Sequence, residues 1–172
     1  FAPNADSQGH TTPTEFTTKA NARVLKELPF HDQQDFEDAT RGLIASDPAL
    51  RIANAQGELV WDQTAYAFMQ EKVPSSVDPS LWRQARLNNI HGLFKVTDGI
   101  YQIRGYDLAN ISIIEGKTGW IVVDPLTSEE TAKSAIALAR KHLGDKPIVA
   151  IILTHSHLDH FGGVQGLLSE EK

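Results

Sequence analysis

The second half of the chain consists of short apolar runs that are separated by polar turns. From Leu93 onward, "LFKVTDGIYQIRG" places two such runs around Asp98-Gly99, a pair typical of tight β-hairpin turns. The stretch "NISIIEGKTGWIVVDP" repeats this pattern around Gly116 and Gly119. The apolar run "PIVAIILT" has no alternation, which favours a strand buried on both faces. The pattern predicts four strands, a helix, a fifth strand, and then a loop and a new helix.

The predicted helix lies in "LTSEETAKSAIALARKHLG", between the fourth and fifth of these strands. Apolar residues recur there at helical spacing: Ala132, Ala135, Ile136, Ala139 and Leu143. Thr127 and Glu130 have the spacing of a capping box, which predicts the start of the helix. Gly144 follows three basic residues and predicts its end.

The first half of the chain has weaker patterns. Residues 1–28 are predicted to form an extended arm with weak helical character, and residues 29–92 a helical and hairpin extension. In that extension, "HDQQDFEDATRGLIA" predicts a helix capped by Asp32, and "RIANAQGELVWD" predicts a hairpin. A second helix is expected to start near Pro79 and to end by Gly92.

Composition narrows the functional classes. The 172 residues suffice for one domain with a real core, and the net charge of −6 without a basic cluster argues against nucleic-acid binding. No apolar run approaches the roughly 18 to 20 residues of a membrane span. The chain has no cysteine, which excludes disulfides and thiolate metal ligands. Its polar start without methionine fits a mature terminus left after signal-peptide removal or a chain that has been shortened at this end, and we expect a bacterial periplasmic or secreted protein whose signal peptide has been removed.

The stretch "AIILTHSHLDHFGGVQG", residues 150–166, carries the candidate chemistry. His155, His157, Asp159 and His160 follow directly after the apolar strand, although the whole chain has only 7 histidines. Ligand sites of layered α/β proteins collect at the carboxyl ends of strands. Imidazole and carboxylate groups suit Zn²⁺ and neighbouring first-row metals. Four ligands so close together fit two ions better than one, each ion taking two ligands here and more from elsewhere.

Glycines follow the histidine cluster, since Gly162 and Gly163 would let the backbone pass close to the site and to the next helix. A polar surface loop with fortuitous histidines is the competing interpretation, and the strand-end context makes it the weaker one. The remaining histidines are better explained as exposed or capping residues than as metal ligands: His10, His31, His91 and His142.

These residues are similar to a known superfamily. "THSHLDHFGG" resembles the HxHxDH motif of the metallo-β-lactamase superfamily, and "GWIVVDP" resembles its preceding strand that ends in an aspartate. The longer stretch "PSLWRQARLNNIHGLFKVTDGIYQIRGYDLANISIIEG" is similar to alkyl sulfatases, which hydrolyse dodecyl sulfate and related esters. The resemblance implies an α/β fold, the αββα sandwich. Residues 93–172 would supply the first half of this catalytic domain, and a dimerisation region and a lipid-binding-like domain would lie outside the chain.

The resemblance also implies a dinuclear zinc site. His155 and His157 match ligands of the first ion, Asp159 and His160 match ligands of the second, and the remaining ligands would lie beyond residue 172. The implied reaction is hydrolysis of a small-molecule alkyl sulfate to alcohol and inorganic sulfate by a metal-activated water, in a homodimer. Asp159 is also a candidate catalytic residue that orients the nucleophile. Asp124 is expected to be structural and to accept backbone N–H bonds at the strand end.

Three alternatives stay open. The first is another hydrolase of the superfamily, a lactonase or thioesterase, and the second is a β-lactamase, less favoured because the zinc enzymes with a cysteine ligand need a residue absent here. The third is a non-catalytic metal-binding module. Other side chains could contact an alkyl chain or a sulfate, but packing and solvated charge explain them more simply: Trp82, Tyr101, Tyr106, Arg83, Arg86 and Arg104.

Overall fold

The computed structural model describes residues 12–168, and this part of the chain divides into two compact units. One unit holds the residues up to Ala39 together with Phe68–Asn88, and the other holds Thr40–Ala67 together with the residues from Asn89 onward. Residues 40–67, predicted as part of the extension, therefore share a compact unit with the strands that follow Leu93. No helix in the described range is long and apolar enough to cross a membrane.

The first unit is helical. It contains α1 (Glu15–Glu27), α3 (Pro79–Asn88) and all but the last residue of α2 (Gln34–Thr40). The predicted extended arm thus includes a regular helix, α1, whose N-cap hydroxyl on Thr14 accepts a hydrogen bond from the Thr17 N–H at 3.3 Å. The part of the arm before residue 12 lies outside the described residues.

The predicted helix from His31 to Ala45 is wrong in its second half. Asp32 does accept a bond from the Gln34 N–H at 2.9 Å, as a capping residue would. The helix nevertheless ends at Thr40, because Gly42 adopts a left-handed φ of 76° and Leu43–Ala45 forms strand β1. Pairing of β1 with a later strand outweighs the local preference for a helix.

The second unit is built on a six-stranded mixed sheet. Its strands are β1 (Leu43–Ala45), β4 (Gly92–Thr97), β5 (Ile100–Arg104), β6 (Ile111–Glu115), β7 (Trp120–Val123) and β8 (Ile148–Ile152), in the order β1-β4-β5-β6-β7-β8. The β7–β8 pair is parallel and the other pairs are antiparallel. The predicted hairpin near Gly57 is confirmed as β2 (Arg51–Ala53) and β3 (Leu59–Asp62). The predicted order of four strands, a helix and a fifth strand is also confirmed.

Helix α4 (Glu129–Leu143) connects β7 to β8, and its apolar face enters the core. Ala132, Ala135, Ile136 and Ala139 are buried there in one cluster with the sheet residues Trp120 and Val122. The predicted capping box is displaced by one residue, since Ser128 is the N-cap and Thr131 is its reciprocal partner. Gly144 ends the helix as predicted.

Strand β8 was predicted to be buried on both faces, and this prediction is wrong. Among residues 12–168 the strand lies at the end of the sheet order, with β7 as its one neighbouring strand, so apolar side chains stay accessible: Val149 at 51% and Ile152 at 48%. Leu153 and Leu168, at 49% each, are exposed as well. A shallow cavity beside the strand is lined only by apolar residues: Ile148, Val149, Ala150, Ile151, Leu167 and Leu168.

We expect the 172-residue chain, expressed alone, to self-associate through this edge, because an unpaired apolar edge strand is a template for association. Light scattering on a sizing column should show oligomers or aggregates. Val149→Lys should shift the chain toward monomer, whereas Leu81→Lys, which replaces an exposed leucine on α3, should not. A monomeric, cooperatively melting wild-type chain would show that this edge does not cause self-association.

Candidate metal site

The candidate site lies where the two parallel strands end. Asp124 follows β7 and Thr154 follows β8, and because the strands are parallel neighbours, their carboxyl ends lie side by side. The Asp124 N–H donates to Ile152 O at 3.0 Å. In return, the Asp124 carboxylate accepts the Thr154 N–H at 2.8 Å and the Thr154 hydroxyl at 2.7 Å. These bonds join the two strand ends that precede the histidine cluster.

The carboxylate of Asp124 also accepts a hydrogen bond from a predicted metal ligand. His160 Nδ1 lies 2.8 Å from Asp124 Oδ2. Burial raises the pKa of the Asp124 carboxyl, but the bonds from Thr154 and His160 outweigh burial and leave this pKa below its ordinary value. The predicted role of Asp124 as a strand-end acceptor agrees with this geometry, and its contact with His160 is an addition that sequence reasoning missed.

All four predicted ligands come together in the short loop after β8. Its 3₁₀ helix, Leu158–His160, turns Asp159 and His160 back toward the strand end. His155 Nε2 lies 3.1 Å from His157 Nδ1, and the His155 and His160 ring centres are 4.1 Å apart. His160 Nε2 lies 3.4 Å from Asp159 Oδ2. The cluster is therefore compact, with two close pairs of donor atoms.

The spacing within each pair fits a shared metal ion. Two ligand atoms on one tetrahedral zinc are about 3.3 Å apart, since each lies about 2.0–2.1 Å from the metal. The His155–His157 gap of 3.1 Å and the Asp159–His160 gap of 3.4 Å are both close to that value. Within residues 12–168, however, no group of three or more His, Asp or Glu side chains is arranged to hold a metal. Each pair by itself would supply only part of a metal ion's coordination sphere.

Hydrogen bonds leave the right imidazole atoms available for a metal. A carboxylate can only accept, so the contact with Asp124 Oδ2 places the proton of His160 on Nδ1 and leaves Nε2 as an acceptor. Thr154 donates its hydroxyl proton to Asp124 and so accepts from His155 Nδ1 at 2.9 Å. His155 Nε2, which faces His157 Nδ1, then carries no proton and can also act as a ligand. One carboxylate therefore orients two of the four predicted ligands.

The two glycines after the cluster are required by close packing, as predicted. A Cβ on Gly162 would lie 2.1 Å from Thr127 O, and one on Gly163 would lie 2.0 Å from Pro125 O. The Gly163 N–H donates to Leu126 O at 3.0 Å. The loop that carries the histidines thus packs directly against the turn between β7 and α4.

Several other residues that the sequence raised have structural roles. His91 Nε2 lies 2.8 Å from Asp47 O, and the Arg104 guanidinium stacks 4.3 Å from the centre of the Phe94 ring. Tyr106 is buried, and this burial raises its pKa to about 12. In the first unit, Arg83 and Arg86 both stack over Phe36. Of the other histidines, His10 lies outside the described residues.

Comparison with known proteins shows which proteins this chain is similar to. Residues 104–172 match the metallo-beta-lactamase superfamily. The linear primary-alkylsulfatase of Pseudomonas sp. is 52% identical over 159 residues, which are 91% of this chain and 24% of that protein. The chain is a homologue of alkylsulfatases with a metallo-beta-lactamase domain. The predicted metallo-β-lactamase-like α/β fold is confirmed.

Two further alkylsulfatases are similar to this chain over nearly its whole length. An (R)-specific secondary-alkylsulfatase of Pseudomonas sp. is 49% identical over 167 residues, 96% of this chain and 25% of that protein. The solved structure of the stereoselective inverting sec-alkylsulfatase Pisa1 from Pseudomonas sp. superposes with a TM-score of 0.87 at 50% identity, covering 94% of this chain and 26% of that one. The chain thus spans about a quarter of the length of these relatives. The superfamily implies metal ions, typically zinc.

Proposed function

We propose that the full-length protein hydrolyses alkyl sulfate esters to an alcohol and inorganic sulfate in a metal-dependent reaction. The observation that carries this proposal is the arrangement after β8, where His155–His157 and Asp159–His160 form two ligand pairs at metal-compatible spacing. About 50% identity to alkylsulfatases over most of the chain supports the substrate class. Both primary and secondary alkylsulfatases are found among these relatives, so we include both ester types.

In this proposal, His155 and His157 hold one zinc ion, and Asp159 and His160 hold a second. When bound, zinc lowers the pKa of a coordinated water toward neutrality and offsets charge on the sulfate oxygens. Asp124 and Thr154 keep the His160 and His155 Nδ1 atoms protonated, so that each ring presents Nε2 to the metal. Asp159 has the further task of orienting the attacking water by accepting a hydrogen bond from it.

Two features of the proposal concern the whole protein. We keep the homodimer and the periplasmic or secreted location as predictions, the homodimer because of the sequence resemblance described above. Analytical ultracentrifugation of the full-length protein and fractionation of its source cells would check them. Neither feature is needed for the chemistry proposed above.

The test is sulfate release by the zinc-loaded full-length protein. Dodecyl sulfate and a secondary alkyl sulfate should each be assayed by ion chromatography, with and without a chelator. We expect at least one ester to be hydrolysed, chelation to abolish the release, and added zinc to restore it. Turnover of a lactone or a thioester without turnover of either sulfate would favour the alternative superfamily hydrolase. Zinc binding without any hydrolysis would favour a non-catalytic metal-binding module.

A further inference from the structure

One buried carboxylate lies outside the cluster of candidate metal ligands and accepts four hydrogen bonds. Asp107 lies in the loop between β5 and β6 and is only 7% exposed. Its side chain accepts the Leu108 N–H at 2.6 Å, the Thr127 N–H at 2.9 Å, the Thr127 hydroxyl at 2.6 Å and the Thr131 hydroxyl at 2.5 Å. These four donors are neutral. The burial of this charge is therefore offset by directional hydrogen bonds, which fix its position relative to the start of α4.

The segment that Asp107 holds is the turn between β7 and α4, residues 124–128. Two non-glycine residues of this turn, Asp124 and Leu126, have left-handed φ angles of 54° and 65°. Such backbone is strained and persists only where surrounding contacts enforce it. Leu126 is completely buried, and Asp107 binds the next residue, Thr127, through both backbone and side chain.

The same turn also contacts the histidine loop. Asp124 contacts His160, Leu126 O accepts the Gly163 N–H, and Thr127 O lies against Gly162. A displacement of the turn would therefore move the Asp124 carboxylate away from His160 and would disturb the packing of Gly162 and Gly163 against the turn. Asp107 is thus bonded to Thr127 at one end of the turn, and Asp124 at the other end of the turn contacts the predicted ligand His160.

We propose that Asp107 is a positioning residue for the metal site, acting by holding the turn 124–128 in the conformation that orients His160. This proposal rests on the proposed function only in that the cluster binds zinc. It does not depend on which ester is the substrate.

The chemistry of the carboxylate makes Asp107→Asn a sharp test. Asp107 Oδ1 accepts the Leu108 N–H and Asp107 Oδ2 accepts the Thr127 N–H, so each oxygen receives one backbone donor. Either orientation of an asparagine amide places its NH₂ group against one of these backbone N–H groups. Both groups are donors, so no hydrogen bond can form between them. Thr131→Val is a second variant, which removes one of the four bonds to Asp107 and also the bond that the Ser128 N–H donates to the Thr131 hydroxyl in the capping box. The matched control is Asp145→Asn, an exposed aspartate that follows α4.

The experiment measures zinc affinity of the full-length protein by competition with a chromophoric chelator, at a temperature well below the melting point of each variant. We expect Asp107→Asn to weaken zinc binding about 10–100-fold, as the loss of outer-shell partners does. Thr131→Val should weaken it about fivefold, as expected for one hydrogen bond. Asp145→Asn should match the wild type.

A purely structural role would give a different result. If Asp107→Asn lowers the melting temperature but leaves zinc affinity at the wild-type value, the proposal is overturned. Should that variant fail to fold, unchanged zinc affinity in Thr131→Val would overturn it instead. A wild type that binds no zinc would refute both this proposal and the proposed function. A wild type that binds zinc but releases no sulfate would refute only the function.

Discussion

Replacing Asp159 with alanine should lower kcat/KM for sulfate release by more than about 100-fold, which exceeds the roughly 10–100-fold cost of losing an outer-shell partner. The reason is that Asp159 has two proposed tasks, as a metal ligand and as the residue that orients the attacking water. Its Oδ2 lies 3.4 Å from His160 Nε2, so removal of the carboxylate leaves His160 as the only predicted ligand of its pair. Steady-state kinetics of the full-length protein on an alkyl sulfate would measure the loss.

Two companion variants separate this effect from a general loss of charge. Asp145→Ala removes an exposed carboxylate that pairs with Arg140 at 3.0 Å, and we expect wild-type activity. Asp124→Asn keeps an acceptor but disturbs either the Thr154 bond or the His160 bond, so an intermediate loss of about 10–100-fold is expected. An Asp159→Ala protein within about threefold of the wild type would contradict both assigned roles.

Elements with local signals could be predicted from the sequence. The Asp98-Gly99 turn fixes the β4–β5 hairpin, because Gly99 supplies the left-handed φ of 73° that the turn needs. Helix α4 was recognisable from its apolar stripe and from Gly144. The cluster of candidate metal ligands was recognisable for a similar reason, since all four residues lie within six consecutive positions and need only one short turn to meet.

Elements decided by distant contacts were missed. Leu43–Ala45 was predicted as helix because its partner strand, β4, begins at Gly92 and is invisible to a local pattern. Strand β8 has the apolar sequence of a buried strand, but its exposure depends on which neighbours pair with it, and this is a property of the sheet.

The contacts that support the candidate ligands could not be predicted from the sequence either. Asp107 lies in "GYDLAN", a stretch that reads as an ordinary loop in which an aspartate needs no special explanation. Its bonds to Thr127 and Thr131 span 20 or more residues, so only the folded structure reveals them. Asp124 was expected to bond to a strand end, whereas its contact with His160 across 36 residues depends on the 3₁₀ turn that follows β8.

Zinc content of the full-length His157→Ala protein tests the central claim most directly. His157 Nδ1 lies 3.1 Å from His155 Nε2 in an exposed loop, so the substitution removes one proposed ligand without opening the core. Elemental analysis should find about two zinc ions in the wild type, and the variant should lose zinc because its first site lacks a ligand. His142→Ala, an exposed histidine in the last turn of α4, should keep the wild-type content. Unchanged zinc in His157→Ala would contradict the ligand assignment on which this account rests.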